Sequence, residues 1–379
     1  MSDYIPFALQ GEIMKRLPTR SLLQFRTVSK QWKSLIDSSQ FIVDYSLNHT
    51  HQQHLLVCYT SQEDFKEKYV SIIDDETFPE HKCSMPDSIA ELGVAMIMGS
   101  SQGLFCLSIV RQDPRCEYAS LVRTTVLWNP SIRKSVAIDT PHSSMVFGFG
   151  VCPYTSDPKL VKIKFTCGKP NLDTRSFTPW QVEVYTLSSG TWGSIPTTNQ
   201  PSDSIKLRLD QVVINGFIYW LAIDNINISM MTMEFEGYNL IVSFDMASEK
   251  FMEISLPDTL ARAPNSSLSI SKLKEYLVVV EMVREAEKRV YGIWMMEHGV
   301  PNSFTKLFTI NSPDASIRAV LGFRKNIYEP ICAMRADYNV HSVFVLALHS
   351  EHNNYTLMSC NGPSHTARFY MESLLLLDH

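Results

Sequence analysis

The chain has 379 residues, of which 45% are hydrophobic and 19% are charged, and its formal net charge at pH 7 is -5. This composition is typical of a folded protein and excludes a largely disordered one. The slightly acidic balance also argues against a protein that binds nucleic acid by neutralising phosphates, because that activity needs a concentrated basic surface.

The first predicted element is an amphipathic helix near the N-terminus. Leu9, Ile13 and Leu17 recur at every fourth position, which places them on one face of a helix. Pro6 suits the first turn, where its missing N–H costs no hydrogen bond. Pro18 ends the helix, because a residue that precedes proline is disfavoured in the helical conformation. The helix is therefore predicted to present a stripe of apolar side chains.

Two more short helices and a trailing fourth are predicted to follow. Ser21 can cap the second helix and Ser29 can cap the third, in which Trp32, Leu35 and Ile36 share one face. So small a module cannot bury this much apolar surface within itself. We therefore expect something else to cover part of it.

The run IPFALQGEIMKRLPTRSLLQFRTVSKQWKSLIDSSQFI lies in a predicted domain of residues 3–47 and resembles a plant F-box at almost every position. Its departures are small, since Ile5 replaces a leucine, and Thr27 and Ser29 stand where cysteines are common. The resemblance implies that the domain binds a Skp-type adaptor and, through it, a cullin scaffold. The positions implied to contact the adaptor are Pro6, Ile13, Leu17, Pro18, Leu22, Leu23, Phe25, Val28 and Trp32.

Two other interpretations of this helical module remain. A helix-turn-helix that reads DNA needs polar side chains that reach base edges, and the predicted helices do not supply them. An F-box fold that has lost its adaptor would show the same sequence pattern.

Beyond the module the character of the sequence changes. Residues 48–54 are polar and are predicted to be a linker. After them, short apolar or alternating runs such as LLVCY, QVEVYTL and YLVVVEM are separated by Gly, Pro, Asn and Ser. This pattern is typical of strands and turns, so residues 55–379 are predicted to be all-β.

A strand–turn–strand unit recurs within the β domain. It occurs at residues 125–138, 182–195 and 241–254. Tyr185 with Trp192 and Phe244 with Phe251 lie seven residues apart and are predicted to face each other across hairpins, with Trp192 and Phe251 in the core.

Repeats of roughly fifty residues are typical of a β-propeller, and six would fill the chain beyond residue 50. A two-sheet β-sandwich is the alternative fold, although the regular spacing favours the propeller. The C-terminal run FYMESLLLL is expected to supply the strand that closes the ring.

The β domain resembles the F-box-associated interaction domain of plant F-box proteins, which is itself similar to kelch-type propellers. The segments that carry the resemblance are GSSQGLFCLS (99–108), LWNPSIRK (127–134), GFGVCPYTSDPKLVKI (148–163), VINGFIYWLA (213–222), VSFDMASEKFMEISLPD (242–258), IWMMEHGVPNSFTKLFTI (293–310) and LGFRKN (321–326). The departures are local: Gln102 stands where the family has Asn, Phe304 where it has Trp, and residues 269–280 lack the usual small-residue turn.

Together the two resemblances imply an α+β multidomain protein that serves as the substrate-recognition subunit of an SCF-type (Skp–cullin–F-box) ubiquitin ligase. The β domain would bind a protein target, which would then be ubiquitinated and degraded by the proteasome. The alternatives are a kelch-like interaction module without ubiquitination and, on the fold alone, a propeller enzyme. Target contacts are expected in connecting loops such as residues 196–206 and 223–238.

No catalytic, metal-binding or cofactor-binding pattern is found in the sequence. It has no Gly-rich phosphate loop, HExxH motif or nucleophile elbow. His49, His51 and His54 are assigned to the linker, His349 and His352 to a polar turn, and residues 74–76 to an acidic surface loop. We therefore predict a non-catalytic protein without a metal ion or cofactor.

The cysteines and the N-terminus bear on the cellular compartment. The eight cysteines include no CxxC pair, so most are expected to be buried and reduced. No apolar run reaches the ~20 residues of a membrane helix, and the first residues, MSDYIPFALQ, do not resemble a signal peptide. We expect a cytoplasmic and/or nuclear protein.

Overall fold

The structure is a computed structural model. It describes residues 5–46, 53–60, 67–73, 80–83, 89, 94–112, 121–139, 146–164, 179–228, 235–285, 288–297, 302–311, 317–324, 329–337, 340–348, 355–361 and 365–376. Several predicted features lie outside these residues, namely His49, His51, residues 74–76, His349 and His352.

Four short helices form the N-terminal module. They are α1 (Phe7–Met14), α2 (Thr19–Phe25), α3 (Lys30–Ile36) and α4 (Ser39–Ser46). Ser29 caps α3 as predicted, because its hydroxyl oxygen accepts a hydrogen bond from the backbone N–H of Trp32 at 3.1 Å. The prediction that Ser21 caps the second helix is wrong. Pro18 is pre-set for a helix start, so α2 begins directly after it, two residues before Ser21.

The described part of the β domain contains twenty-four strands. The first twelve are β1 (Gln53–Thr60), β2 (Glu67–Ile73), β3 (Glu80–Cys83), β4 (Val94–Ser101), β5 (Leu104–Gln112), β6 (Leu121–Asn129), β7 (Lys134–Asp139), β8 (Val146–Val151), β9 (Pro158–Lys164), β10 (Gln181–Thr186), β11 (Thr191–Ser194) and β12 (Ile205–Ile214). The others are β13 (Phe217–Ile228), β14 (Phe235–Asp245), β15 (Lys250–Ser255), β16 (Leu268–Leu273), β17 (Tyr276–Glu285), β18 (Lys288–Met296), β19 (Phe304–Asn311), β20 (Ile317–Phe323), β21 (Pro330–Asp337), β22 (Val340–Leu348), β23 (Tyr355–Asn361) and β24 (His365–Met371). A short helix, α5 (Asp258–Ala261), lies between β15 and β16.

These strands form six antiparallel sheets of four strands each. Five sheets contain four consecutive strands, from β4–β7 to β20–β23, and the sixth has the order β24-β1-β2-β3. A β-sandwich would instead show two large facing sheets. The predicted fold class, a small all-α module followed by an all-β domain of propeller type, is therefore confirmed and the alternative is not.

The chain divides into two compact units. The first contains residues 1–59, 65–143 and 365–379, with the four helices and the sheets β24-β1-β2-β3 and β4–β7. The second contains residues 60–64 and 144–364, with the other four sheets. Within the second unit β12 lies against β8 and β16, and β16 lies against β20. The first strands of successive sheets are thus neighbours, as they are in the blades of a propeller.

The C-terminal strand completes the first sheet. β24 pairs antiparallel with β1, with Leu55 opposite Phe369 and Val57 opposite Ala367. The prediction that the C-terminal run supplies a closing strand is confirmed at this level of strand pairing. β1 begins at Gln53, so the predicted linker is too long by two residues at its C-terminal end.

The predicted hairpin registers are confirmed, but not all of the predicted burial. Tyr185 lies opposite Trp192, and Phe244 lies opposite Phe251. Trp192 and Phe251 are nevertheless only partly buried, although Phe251 packs against the core, whose fully buried aromatics here include Phe244 and Trp220. The prediction that Trp192 is a core residue is wrong, because it is only partly buried on β11, which is the edge strand of its sheet among the described strands.

The departure from the family pattern at Gln102 has a steric cost, because this residue lies in a two-residue turn with positive φ. Gln102 and Gly103 join β4 to β5 with φ of 44° and 80°, and Asn215 and Gly216 join β12 to β13 with φ of 49° and 84°. Turns with two positive φ values favour Asn-Gly, because these residues adopt the left-handed conformation most readily. Gln102 adopts it at a steric cost that Asn would reduce.

The cysteines agree with the prediction wherever the structure describes their side chains. These cysteines are free and buried: Cys58, Cys106, Cys152 and Cys332. Within the described residues, no helix is both long enough and apolar enough to span a bilayer.

The two tryptophans Trp220 and Trp192 allow a matched test of this core. Trp220 is fully buried, so Trp220→Ala is expected to lower the free energy of unfolding by about 3–5 kcal/mol. Trp192→Ala leaves a smaller gap and should cost about 1–2 kcal/mol. Chemical denaturation of the full chain measures both values. Equal losses would contradict the assignment of Trp192 to a partly buried position on an edge strand.

Candidate functional site

The helical module has a small core of its own. Leu22, Ile36 and Tyr45 are its largest fully buried side chains. The Tyr45 hydroxyl donates a hydrogen bond to the carbonyl of Leu17 at 2.9 Å and lies 3.1 Å from the hydroxyl of Thr19. Burial raises the pKa of Tyr45, so the phenol stays protonated and able to donate.

Ion pairs hold the four helices together. Arg26, which follows α2, binds Asp37, which follows α3, through Nε–Oδ1 and Nη2–Oδ2 distances of 2.5 and 3.0 Å. Lys33 adds a third hydrogen bond to Asp37 at 2.9 Å. Burial raises the pKa of Asp37, but the hydrogen bonds from Arg26 and Lys33 outweigh it and hold that pKa below its ordinary value. Lys15 joins α1 to α4 through Asp44 at 2.6 Å.

Apolar side chains are concentrated on the outside of this module. Leu9 and Ile13 are 55% and 49% exposed and lie one turn apart on α1, and Ile5, which is 50% exposed, lies just before the N-cap Pro6. We call these three residues the apolar stripe. Val28, which is 64% exposed, lies between α2 and α3. Single exposed apolar residues are common, whereas a continuous line of them indicates a surface that a partner covers.

Trp32 of α3 packs against Phe25 of α2 and hydrogen-bonds to Gln10 of α1. The rings of Phe25 and Trp32 have centroids 5.2 Å apart. The indole Nε1 of Trp32 donates to the side-chain oxygen of Gln10 at 2.8 Å, and Gln10 follows Leu9 of the stripe. Because this tie is polar and partly buried, it holds the two helices in one register.

The structure separates the nine predicted adaptor contacts into three groups. Exposed positions are Pro6, Ile13, Pro18 and Val28, and partly buried positions are Leu17, Leu23, Phe25 and Trp32. Leu22 is 0% exposed, so its side chain is buried in the structure, and its role as an adaptor contact stays a prediction. Neighbouring residues on a helix point about 100° apart, and Leu23 is accordingly only partly buried whereas Leu22 is fully buried. The set also omits Leu9, although the spacing had placed it on the stripe.

Elsewhere the described residues offer little chemistry. A cleft of about 330 Å³ in the second unit is lined by residues that include Tyr154, Asp157 and Lys159. Lys159 already binds the carbonyl of Met246 at 2.9 Å and the carboxylate of Glu249 at 2.7 Å, and Asp157 accepts a hydrogen bond from the backbone of Ser188. Among the residues that the structure describes, no group of three His, Cys, Asp or Glu side chains is placed to hold a metal ion.

Two further predictions concern individual positions. His54 does not belong to a linker, because it lies in β1, where its ring is 5.1 Å from that of Tyr370 and its Nδ1 is 3.4 Å from the hydroxyl of Ser71. Of the loops predicted to contact a target, residues 196–206 are described and expose Pro196. The second predicted loop, residues 223–238, is wrong at both ends, because residues 223–228 belong to β13 and residues 235–238 to β14, and the side chains of residues 225–236 lie outside the described part.

Comparisons with known proteins match the helical module and most of the β domain to two different families. The F-box domain family matches residues 4–44, and the F-box associated beta propeller domain family matches residues 116–370. F-box protein At2g21930 of Arabidopsis thaliana is 24% identical over 316 residues, which cover 81% of this chain and 72% of the relative. F-box protein CPR1 of Arabidopsis thaliana is 24% identical over 353 residues, which cover 86% and 77%.

One kelch-repeat relative and one solved structure add context. F-box/kelch-repeat protein At2g43445 of Arabidopsis thaliana is 23% identical over 310 residues, which cover 78% of this chain and 63% of the relative. A Pyrococcus horikoshii acylaminoacyl peptidase has 11% identity and a TM-score of 0.38, covering 70% of this chain and 39% of that one. No conclusion is drawn from so distant a structural likeness.

The ion pair between α2 and α3 predicts a pH-dependent stability of the module. Because the pKa of Asp37 is lowered by folding, its contribution is present above the ordinary aspartate value of about 3.9 and is lost as the pH falls through the folded value. We expect Asp37→Asn to destabilise α2 and α3 on the order of 1 kcal/mol near neutral pH. The difference from wild type should disappear in acid. Native-state hydrogen exchange of these helices measures it, and a difference that persists in acid would contradict the assignment.

Proposed function

Because the chain belongs to the plant F-box proteins with an F-box-associated β-propeller domain, we propose that it is the substrate-recognition subunit of an SCF-type ubiquitin ligase. The observation that carries the proposal is the apolar stripe. It lies within the residues that match the F-box family, and its side chains are half exposed although the module has a core of its own. Exposure of these apolar side chains to water costs free energy, and a partner that covers them removes that cost.

The proposed partner of the stripe is a Skp-type adaptor, which in turn binds a cullin scaffold. The stripe and Val28 would supply the apolar centre of the interface. The partly buried Phe25 and Trp32 would lie at its border, since their ring faces are already committed to each other. Leu22 would act only by supporting α2 from inside.

The β domain is proposed to bind a protein target, which is then ubiquitinated and degraded. The chain would contribute no catalytic group. It would raise the effective concentration of target lysines near the ubiquitin-conjugating enzyme, because one chain binds the ligase and the target at the same time. A cytoplasmic and/or nuclear location is also proposed, because the described cysteines are free and buried, as suits a reducing compartment.

The stripe is tested by the double variant Leu9→Ala with Ile13→Ala. Half of each side chain is already buried, so docking would bury the other half. Burial of that area would contribute about 1–1.5 kcal/mol per residue to the binding free energy. The variant should therefore bind a Skp-type adaptor about 30- to 100-fold more weakly, as measured by calorimetric titration. The fold should be retained, because neither side chain belongs to the buried core.

A matched control for this titration is Leu209→Ala. Leu209 is exposed to a similar extent, 57%, but it belongs to β12 in the second unit. Its replacement should leave adaptor affinity unchanged. Undiminished affinity in the stripe variant would remove the stripe from the interface.

The same stripe variant should separate target binding from ubiquitination. We expect it to capture the target as well as the wild-type chain does, because the β domain is unchanged. With a cullin and ubiquitin-conjugating enzyme added, it should fail to promote modification of that target. The measurement is affinity capture with quantitative mass spectrometry, followed by a reconstituted reaction with the captured protein.

Two results would redirect the assignment. A target bound by a wild-type chain that binds no adaptor would indicate a kelch-like interaction module. Stoichiometric metal in the purified chain would favour a propeller enzyme instead.

A further inference from the structure

The segment after β24 reaches from the first sheet to the helical module. The Glu372 side chain accepts a hydrogen bond from the backbone N–H of Thr19, with an Oε2–N distance of 2.9 Å. Thr19 is the first residue of α2, and the residue before it, Pro18, makes no side-chain cap. A carboxylate from the opposite end of the chain therefore satisfies an N–H at the positive end of the helix.

The same segment is anchored on its other side to the second sheet of this unit. Asn129, at the end of β6, is 0% exposed, and its Nδ2 donates to the carbonyls of Ser373 and Leu375 at 3.0 and 2.9 Å. The side-chain oxygen of Asn129 accepts from the backbone N–H of Ser131 at 2.9 Å. Because Asn129 is held by its own turn, it offers the C-terminal segment fixed donors.

Burial and close approach complete the anchorage. Leu374, Leu375 and Leu376 are 0%, 6% and 4% exposed, and Leu376 has a φ of 69° that a leucine adopts only under constraint. A side chain at Gly103 would place its Cβ 2.5 Å from the carbonyl oxygen of Met371. We call residues 372–376 the C-terminal clamp.

We propose that the C-terminal clamp fixes the orientation of the helical module on the first two sheets, with Glu372 as the positioning residue. The clamp contacts the module at Thr19 and the second sheet at Asn129. Neither contact is part of a helix or strand formed by the clamp itself. The consequence for ubiquitin transfer rests on the proposed function. A target held by the β domain keeps a fixed distance from the ligase only if the module that binds the adaptor does not rotate.

The test measures distances within the full chain. Spin labels are attached through bio-orthogonal side chains at two exposed positions, Lys30 in α3 and Met96 in β4, and the distribution of distances between them is recorded. The wild-type chain should give one narrow distribution. Glu372→Ala removes a hydrogen bond to a charged acceptor, so it should raise the ratio of undocked to docked module about ten-fold or more.

Three further variants make the result specific. Glu372→Gln keeps an acceptor oxygen and should retain the narrow distribution. Truncation after Met371 keeps β24 but removes the clamp, and it should give the broadest distribution. Glu12→Ala removes an exposed carboxylate of the module that pairs with Lys15, so it should resemble the wild type.

Either of two outcomes overturns the proposal. One is a wild-type distribution in the chain truncated after Met371. The other is equal broadening by Glu372→Gln and Glu372→Ala, which would show that Glu372 does not act as an acceptor. If the truncated chain does not fold, the comparison of the two Glu372 variants decides alone.

A second readout connects the clamp with ubiquitin transfer and separates it from the proposed function. In a reconstituted ligase, the lysines of the chain itself serve as acceptors, and mass spectrometry maps which are modified. Glu372→Ala should spread modification over more lysines while its affinity for the adaptor stays unchanged. An unchanged lysine pattern beside a broadened distance distribution would overturn the link to transfer. The distance measurement needs no adaptor. A chain that binds no adaptor would contradict the proposed function, and the distances alone would then test the clamp.

Discussion

The pairing of β24 with β1 is the contact on which the first unit depends. It joins residues from opposite ends of the chain in one sheet and places Tyr370 where its hydroxyl binds that of Ser71 at 2.8 Å and its ring packs against Phe105. Such long-range pairing costs the conformational entropy of closing a long loop, which local contacts do not offset. It therefore forms only when the apolar surface it buries is large. Once it is formed, the residues after β24 emerge beside α2, and the C-terminal clamp becomes possible.

The helical module shows the opposite balance, because apart from the bond of Thr19 to Glu372 it is held by local contacts, and it leaves apolar side chains exposed. Tyr45 and Leu22 fill the inside, and the ion pair of Arg26 with Asp37 holds the helices without using apolar side chains. The stripe is then left outside. A short helical module that must remain able to bind a partner can keep apolar residues on its surface only if polar ties stabilise it in their place.

The sequence predicted features whose cause is periodic and local. The exposure of Leu9 and Ile13 on one face follows from a four-residue spacing, and the register of Phe244 with Phe251 follows from the length of one hairpin. The burial of Leu22 was not predicted, because a family pattern names positions and does not state on which side of a helix each side chain lies. Trp192 was misplaced because burial depends on whether a neighbouring strand exists, and strand order is a property of the whole sheet.

The clamp had no sequence signal, because its parts become neighbours only through the fold. Glu372 follows a strand and precedes four leucines, a context that predicts an exposed charge before an apolar end. It gains a role because β24 brings it to the uncapped start of α2, where Pro18 provides no side-chain acceptor. One strand pairing thus supplies both the closure of a sheet and the cap of a distant helix. A protein that must hold two partners at a fixed separation can obtain rigidity in this way without enlarging either interface.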